Sequence, residues 1–188
     1  MKNSNNCLMI AITTLALGYG AVITQAANAW AAPSKIEGFH RNRCIEISKS
    51  NNFSDRQTIQ LCKATTAYTY SCILDSLTKK LFPSFIVKAC ASANEYTTSC
   101  ILTSKRLLMP GRYIAEVCSF ATKYVNTCIA TGLHYLSSFY VSETCAGANR
   151  ATARCIETAR QNNMSPRATR EICKREAWTI TIEHRKVL

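Results

Sequence analysis

The chain has 188 residues, of which 47% are hydrophobic and 18% are charged, and its formal net charge is +12 at pH 7. This composition excludes an intrinsically disordered chain and a multispan membrane protein. It leaves room for one ordinary domain or a short run of repeats, and the 11 cysteines are well above ordinary usage.

The first thirty residues have the pattern of a secretory signal peptide. Lys2 precedes an apolar stretch over residues 8–24, and the small residues at 26–32 fit an A-x-A cleavage site. We therefore assign residues 1–31 to a signal peptide; a single membrane anchor is the disfavoured alternative, because the stretch is short and polar for a span. Cleavage would remove Cys7 and leave ten cysteines, an even number, in a secreted or periplasmic chain that meets an oxidising environment.

The ten remaining cysteines recur with a period of 28 residues. Gaps of 18 and 10 residues alternate along the chain, with a single gap of 17, and chance spacing does not produce this pattern. The period assigns residues 44–182 to a repeat domain, 32–43 to an N-terminal lead-in and 183–188 to a C-terminal tail. The ten cysteines are Cys44, Cys62, Cys72, Cys90, Cys100, Cys118, Cys128, Cys145, Cys155 and Cys173.

Other residue types share the period. An isoleucine follows every second cysteine, as at Ile73 and Ile101. Tyr68, Tyr96 and Tyr124 occupy one equivalent position, and we expect their rings to pack between layers of helices with their hydroxyls in solvent.

Turn signals lie in the long gaps. Pro83, Pro110 and Pro166 fall at the middle of three of them, and Lys79-Lys80 and Lys105-Arg106 come just before two turns, where cations favour the negative end of a helix dipole. The short gaps contain no proline, so we expect each of them to lie inside one continuous helix and each long gap to span a turn. The predicted helices cover residues 38–51, 55–80, 84–108, 111–135, 139–162 and 166–185.

Helix geometry selects one pairing of the cysteines. Two cysteines ten residues apart in one helix are separated by about 15 Å, whereas a disulfide requires Cα atoms within about 7 Å. Across a turn, antiparallel helices bring the two cysteines of a long gap level with each other, and each such disulfide would contribute roughly 3 kcal/mol. The predicted disulfides are Cys44–Cys62, Cys72–Cys90, Cys100–Cys118, Cys128–Cys145 and Cys155–Cys173.

The predicted fold is all-α, with about six antiparallel helices in a disulfide-stapled repeat array. A step of ten residues rotates about 80° around a helix, so the disulfides to the preceding and the following helix point in different directions and the array should curl. The result would be a curled α-solenoid or a compact helical bundle.

The C-x9-C spacing, Cys62 with Cys72 and Cys90 with Cys100, resembles that of the twin C-x9-C proteins of the coiled-coil–helix–coiled-coil–helix family. That resemblance implies helical hairpins crossed by two disulfides, and its pairing Cys62–Cys100 would compete if the array broke into separate hairpins. The chain is also similar in kind to secreted bacterial cysteine-rich tetratricopeptide-like proteins, whose helix pairs are linked by disulfides. Neither resemblance assigns a site residue.

The sequence carries no pattern typical of a catalytic or metal site. His40, His134 and His184 are the only histidines and none stands in a metal-binding spacing; C-x-x-C, G-x-S-x-G and phosphate-binding glycine loops are absent. We therefore predict no enzyme activity, no metal and no cofactor. A small extracellular hydrolase, with carboxylates gathered by the fold, is the alternative.

Basic residues are the only feature that points to a ligand. Arg167, Arg170 and Lys174 share one helix face, and Arg150 and Arg154 lie one turn apart, so the last hairpin carries either an anion-binding face or a solvated one.

These features favour a binding, interaction or structural module whose protein partner is unknown. The alternative is a cationic protein that binds lipopolysaccharide, a membrane or another polyanion. Nucleic acid is disfavoured because no recognition motif is present, and we expect no transmembrane segment in the mature chain.

Overall fold

The computed structural model describes residues 35–174, and in that range the chain is helical apart from short turns and loops. The proposed signal peptide and the C-terminal tail lie outside the described residues. A helix that we call α10 starts at residue 166 and reaches residue 174. The helices before it are α1 (Lys35–Ser50), α2 (Asp55–Cys62), α3 (Thr69–Thr78), α4 (Pro83–Cys90), α5 (Thr97–Arg106), α6 (Gly111–Cys118), α7 (Val125–Leu133), α8 (Ser138–Cys145) and α9 (Arg150–Gln161).

The short gaps do not lie inside continuous helices, and this part of the sequence prediction is wrong. The predicted helix over 55–80, for example, is α2 and α3 with residues 63–68 between them. The break comes from a polar side chain in each loop: Thr66 accepts a hydrogen bond from the backbone N–H of Tyr68, and Thr69 accepts one from the N–H of Thr66 (3.2 and 2.9 Å). Such local bonds compete with the helix ladder. Because the helices are interrupted, two cysteines ten residues apart are not related by an 80° rotation about one helix axis, and the predicted curl does not follow from their spacing.

Each long gap forms the turn of an antiparallel hairpin. In four of the five turns, one residue adopts positive φ after the first helix, and the backbone N–H of the next residue donates to a carbonyl five residues earlier, as from Phe53 to Ser48 (3.0 Å). This is the Schellman ending of a helix. The fourth turn is one residue shorter and closes by a bond from the Leu136 N–H to the Gly132 carbonyl. The positive-φ residues of the four turns are Asn52, Lys80, Leu108 and Asn163.

One disulfide crosses each hairpin, and the five pairs are those predicted from the cysteine spacing. The Cα atoms of each pair lie 5.6–5.7 Å apart. The competing link Cys62–Cys100 is not formed, because each of these cysteines is bonded within its own hairpin. The structure is therefore an all-helical, disulfide-stapled array.

The hairpins stack in two layers, which is the arrangement of an α-solenoid. The first helices of successive hairpins contact one another in the order α1, α3, α5, α7, α9, and the second helices do so in the order α2, α4, α6, α8. The repeated isoleucine belongs to the hydrophobic core of the stacked hairpins. Ile73, Ile101, Ile129 and Ile156 are fully buried, whereas Ile45, in the first hairpin, is 39% exposed.

A row of hydrogen bonds also links neighbouring hairpins. The Thr66 hydroxyl donates to the Ala93 carbonyl at 2.6 Å, and the Asn94 side-chain amide donates to the Ala121 carbonyl at 2.7 Å. Thr122 continues the row to the Ala148 carbonyl. In each of these loops, one polar side chain therefore accepts a hydrogen bond just before its own hairpin and donates one to the loop before the next hairpin.

We predict that Asn94→Ala lowers the free energy of unfolding by about 2 kcal/mol, because it removes the acceptor of the Tyr96 backbone N–H and leaves the Ala121 carbonyl without its donor. Asn94→Thr should change it by less than about 0.5 kcal/mol, since threonine makes the same bonds at positions 66 and 122. Urea unfolding of both variants tests this expectation. If both variants lost the same free energy of unfolding, the hydrogen bonds between loops would not contribute to stability as described.

Candidate binding surface

The cysteines and histidines of the described residues do not form a reactive group. All ten cysteines of the repeat are closed in disulfides. His40 packs edge-on against Phe39, His134 is exposed at the end of α7, and His184 lies outside the described residues. Between residues 35 and 174, no three His, Cys, Asp or Glu side chains are grouped as metal ligands would be.

Two of the predicted anion-binding residues are held by a carboxylate. Arg170 on α10 pairs with Glu143 on α8 at 2.8 Å, and the Lys174 ammonium lies 3.7 Å from the same carboxylate. The hydrogen bond to Glu143 raises the pKa of Arg170. Arg170 also pairs with Glu171. These contacts join the last two hairpins, so Arg170 and Lys174 already have an anionic partner within the protein.

The other three predicted residues are exposed. Arg150, Arg154 and Arg167 form no ion pair with any described residue. Arg150 and Arg154 lie on α9 and Arg167 lies on α10; Arg154 borders a shallow groove that also includes Ile172. The five residues are therefore divided between an internal ion-pair cluster and a solvated surface.

The repeated tyrosines form a row along the edge where the hairpins are joined. Each precedes the first helix of its hairpin, and Tyr96 and Tyr124 pack partly against the core while Tyr68 is 44% exposed. A hydrogen bond to Glu95 raises the pKa of Tyr96, and burial and the neighbouring Tyr68 and Tyr124 raise it further.

A second edge of the array, where the hairpins turn, concentrates positive charge. Lys79 of the second hairpin and Lys105 and Arg106 of the third line one shared groove, together with Leu102 and Thr103. None of the three cations forms an ion pair with a described residue. We call the turns of these two hairpins, residues 79–82 and 105–109, the basic turn edge.

Sequence reasoning placed these cations at helix ends but assigned them no binding role. The distribution of acids contained this information: between Asp75 and Glu116 the only acid is Glu95, against six cations, of which Lys88 pairs with Glu116. Glu95 lies in the loop between the hairpins, at the end away from the turns. The first and fifth turns differ, because Lys49 there pairs with Asp55 and Arg160 pairs with Glu157.

No family model, curated protein or solved structure matches the chain. Within the described residues, no helix has both the length and the apolar character needed to cross a bilayer.

We predict that Glu95→Ala lowers the pKa of Tyr96 towards its ordinary value, because the carboxylate no longer stabilises the neutral phenol. Glu46→Ala, which removes a carboxylate from the first hairpin, should leave it unchanged. A pH titration of ring-labelled tyrosine by NMR gives the answer for both variants. A Tyr96 pKa that is the same with and without Glu95 would contradict the described contact.

Proposed function

We propose that the protein is an exported binding module that holds an anionic macromolecular surface along its basic turn edge. Five disulfides fit a stable helical module of extracellular type, since such bonds persist in oxidising compartments. The signal-like first thirty residues support a secreted or periplasmic location.

The observation that carries the proposal is the groove shared by Lys79, Lys105 and Arg106. Cations that belong to different hairpins converge there, and none of the three lies within ion-pair distance of a described carboxylate. Cations of one sign on neighbouring repeats create a local positive potential that attracts a polyanion more strongly than scattered charges do.

The stacking of the hairpins supports this role. Equivalent residues lie next to each other because the hairpins pack in register, as the hydrogen bonds between Thr66 and Ala93 and between Asn94 and Ala121 show. A repeat array therefore presents a long, rigid edge, and little ordering cost is needed when a ligand binds along it.

The test compares two triple variants of equal net charge on immobilised heparin, a sulfated polyanion. We expect Lys79→Gln/Lys105→Gln/Arg106→Gln to elute at clearly lower salt than the native protein. Its slope of log affinity against log salt should fall in magnitude by about three, because three cations are lost and each releases roughly one counterion fewer. The control Arg150→Gln/Arg154→Gln/Arg167→Gln should elute at a salt concentration much closer to that of the native protein.

Equal losses in the two variants would contradict the proposal, since net charge alone would then govern binding. A larger loss in the control would contradict it as well and would place the site on the last hairpin.

A further inference from the structure

Leu108 occupies a backbone position that disfavours it. It has φ of 59° at the turn of the third hairpin, and its side chain is 88% exposed. Glycine and asparagine are the residues that usually end a helix in this conformation, because a bulky side chain there is strained. The first and fifth hairpins have Asn52 and Asn163 at the equivalent position. Leu108 therefore contributes neither a favourable backbone conformation nor a buried side chain to the stability of the fold.

Phe82 shows the same departure one hairpin earlier. It is the residue before α4, it is 70% exposed, and its side chain makes no capping hydrogen bond. The equivalent residues Ser54 and Ser137 cap their helices by accepting hydrogen bonds from the backbone of Gln57 and Tyr140. Serine is among the best residues for this position, and phenylalanine has no oxygen to offer.

Both apolar side chains lie on the basic turn edge. Lys79 and Lys80 come just before Phe82, and Lys105 and Arg106 come just before Leu108. The two turns are neighbours in space, because Lys79 shares a groove with Lys105 and Arg106. The second helices of the two hairpins are also tightly packed at this end: a Cβ atom at Gly111 would lie 2.9 Å from the ring of Phe85, on which Phe82 packs edge-on.

We propose that the basic turn edge docks onto an anionic lipid membrane. Phe82 and Leu108 would enter the interfacial region of the bilayer, and Lys79, Lys80, Lys105 and Arg106 would bind the lipid phosphates. This inference rests on the proposed function and narrows the partner to a bilayer surface.

Two properties favour a bilayer over a protein partner. The apolar side chains protrude from turns and are not gathered in a concave pocket of the kind in which a protein anchor is held. In the sequence they lie within three residues of cations with flexible stems, and this combination of shallow apolar insertion with attraction to anionic headgroups is how peripheral proteins hold a membrane interface.

The first experiment measures sedimentation with vesicles of phosphatidylglycerol and phosphatidylcholine. The variant Phe82→Ser/Leu108→Asn gives the two turns the residues used by other hairpins and keeps every charge. We expect its affinity for the vesicles to fall at least tenfold, while its elution from heparin stays the same. Its midpoint in urea should be equal to or higher than that of the native protein.

The matched control removes a phenylalanine and an aliphatic residue from exposed positions elsewhere. Phe120 is 66% exposed in the loop after α6, and Ile59 is 67% exposed on α2. Phe120→Ser/Ile59→Asn should bind the vesicles as the native protein does. Native protein should bind vesicles of pure phosphatidylcholine at least tenfold more weakly, because the phosphatidylglycerol charge is missing.

Several outcomes would overturn the inference: equal vesicle binding by native protein and the turn variant, an equal loss in the control variant, or equal binding to neutral and anionic vesicles. Heparin binding without vesicle binding would also overturn it, and would leave the proposed function standing with a non-lipid polyanion as the partner. Loss of binding to both probes would instead be a failure of the proposed function.

Discussion

The disulfide across each hairpin is the constraint on which the rest of the structure depends. Most of the helices it joins have only 8 to 10 residues, and helices this short are marginal in water without tertiary support. The link fixes two such helices side by side within a loop of 17 or 18 residues, so that little of the chain is free to unfold independently. Because every hairpin carries its own link, each is a complete unit that can be stacked on the next.

Stacking in register gives the array its surface properties. Fully buried isoleucines recur in successive hairpins, and the bonds from Thr66, Asn94 and Thr122 link successive loops, so positions one period apart are neighbours in space. Rows of this kind place the tyrosines on the edge where hairpins are joined and the cations on the edge where they turn. At the hairpin turns, the positive-φ position and the helix N-cap are mostly occupied by polar residues, as by Asn52 and Ser54 in the first hairpin. Phe82 and Leu108 depart from that pattern on adjacent hairpins, and such departures from locally favourable chemistry are where function is expected.

The sequence predicts the hairpin turns, because proline lies at the middle of three long gaps. It also predicts the disulfide pairs, because the cysteine spacing allows only neighbours across a turn to meet. It does not predict the breaks in the short gaps, since neither proline nor glycine marks the loop at residues 63–68. The pattern of Thr66 with Thr69, and of Asn94 with Thr97, three residues apart, is a helix-start signal that could have revealed them. The ion pair of Arg170 with Glu143 joins residues 27 apart, so helix periodicity along α10 alone could not reveal it. Likewise, the exposure of Leu108 depends on its place in the turn, which becomes apparent only once the turn is known.

The most direct test is non-reducing peptide mapping of the native protein, with fragment masses compared before and after reduction. We expect five linked peptide pairs, each joining the two cysteines on either side of one hairpin turn, and no free thiol among the ten. A link between hairpins, such as Cys62–Cys100, would contradict the stacked array, because those cysteines belong to different units. A free thiol in the native protein would contradict it too, since one hairpin would then lack the bond that defines it.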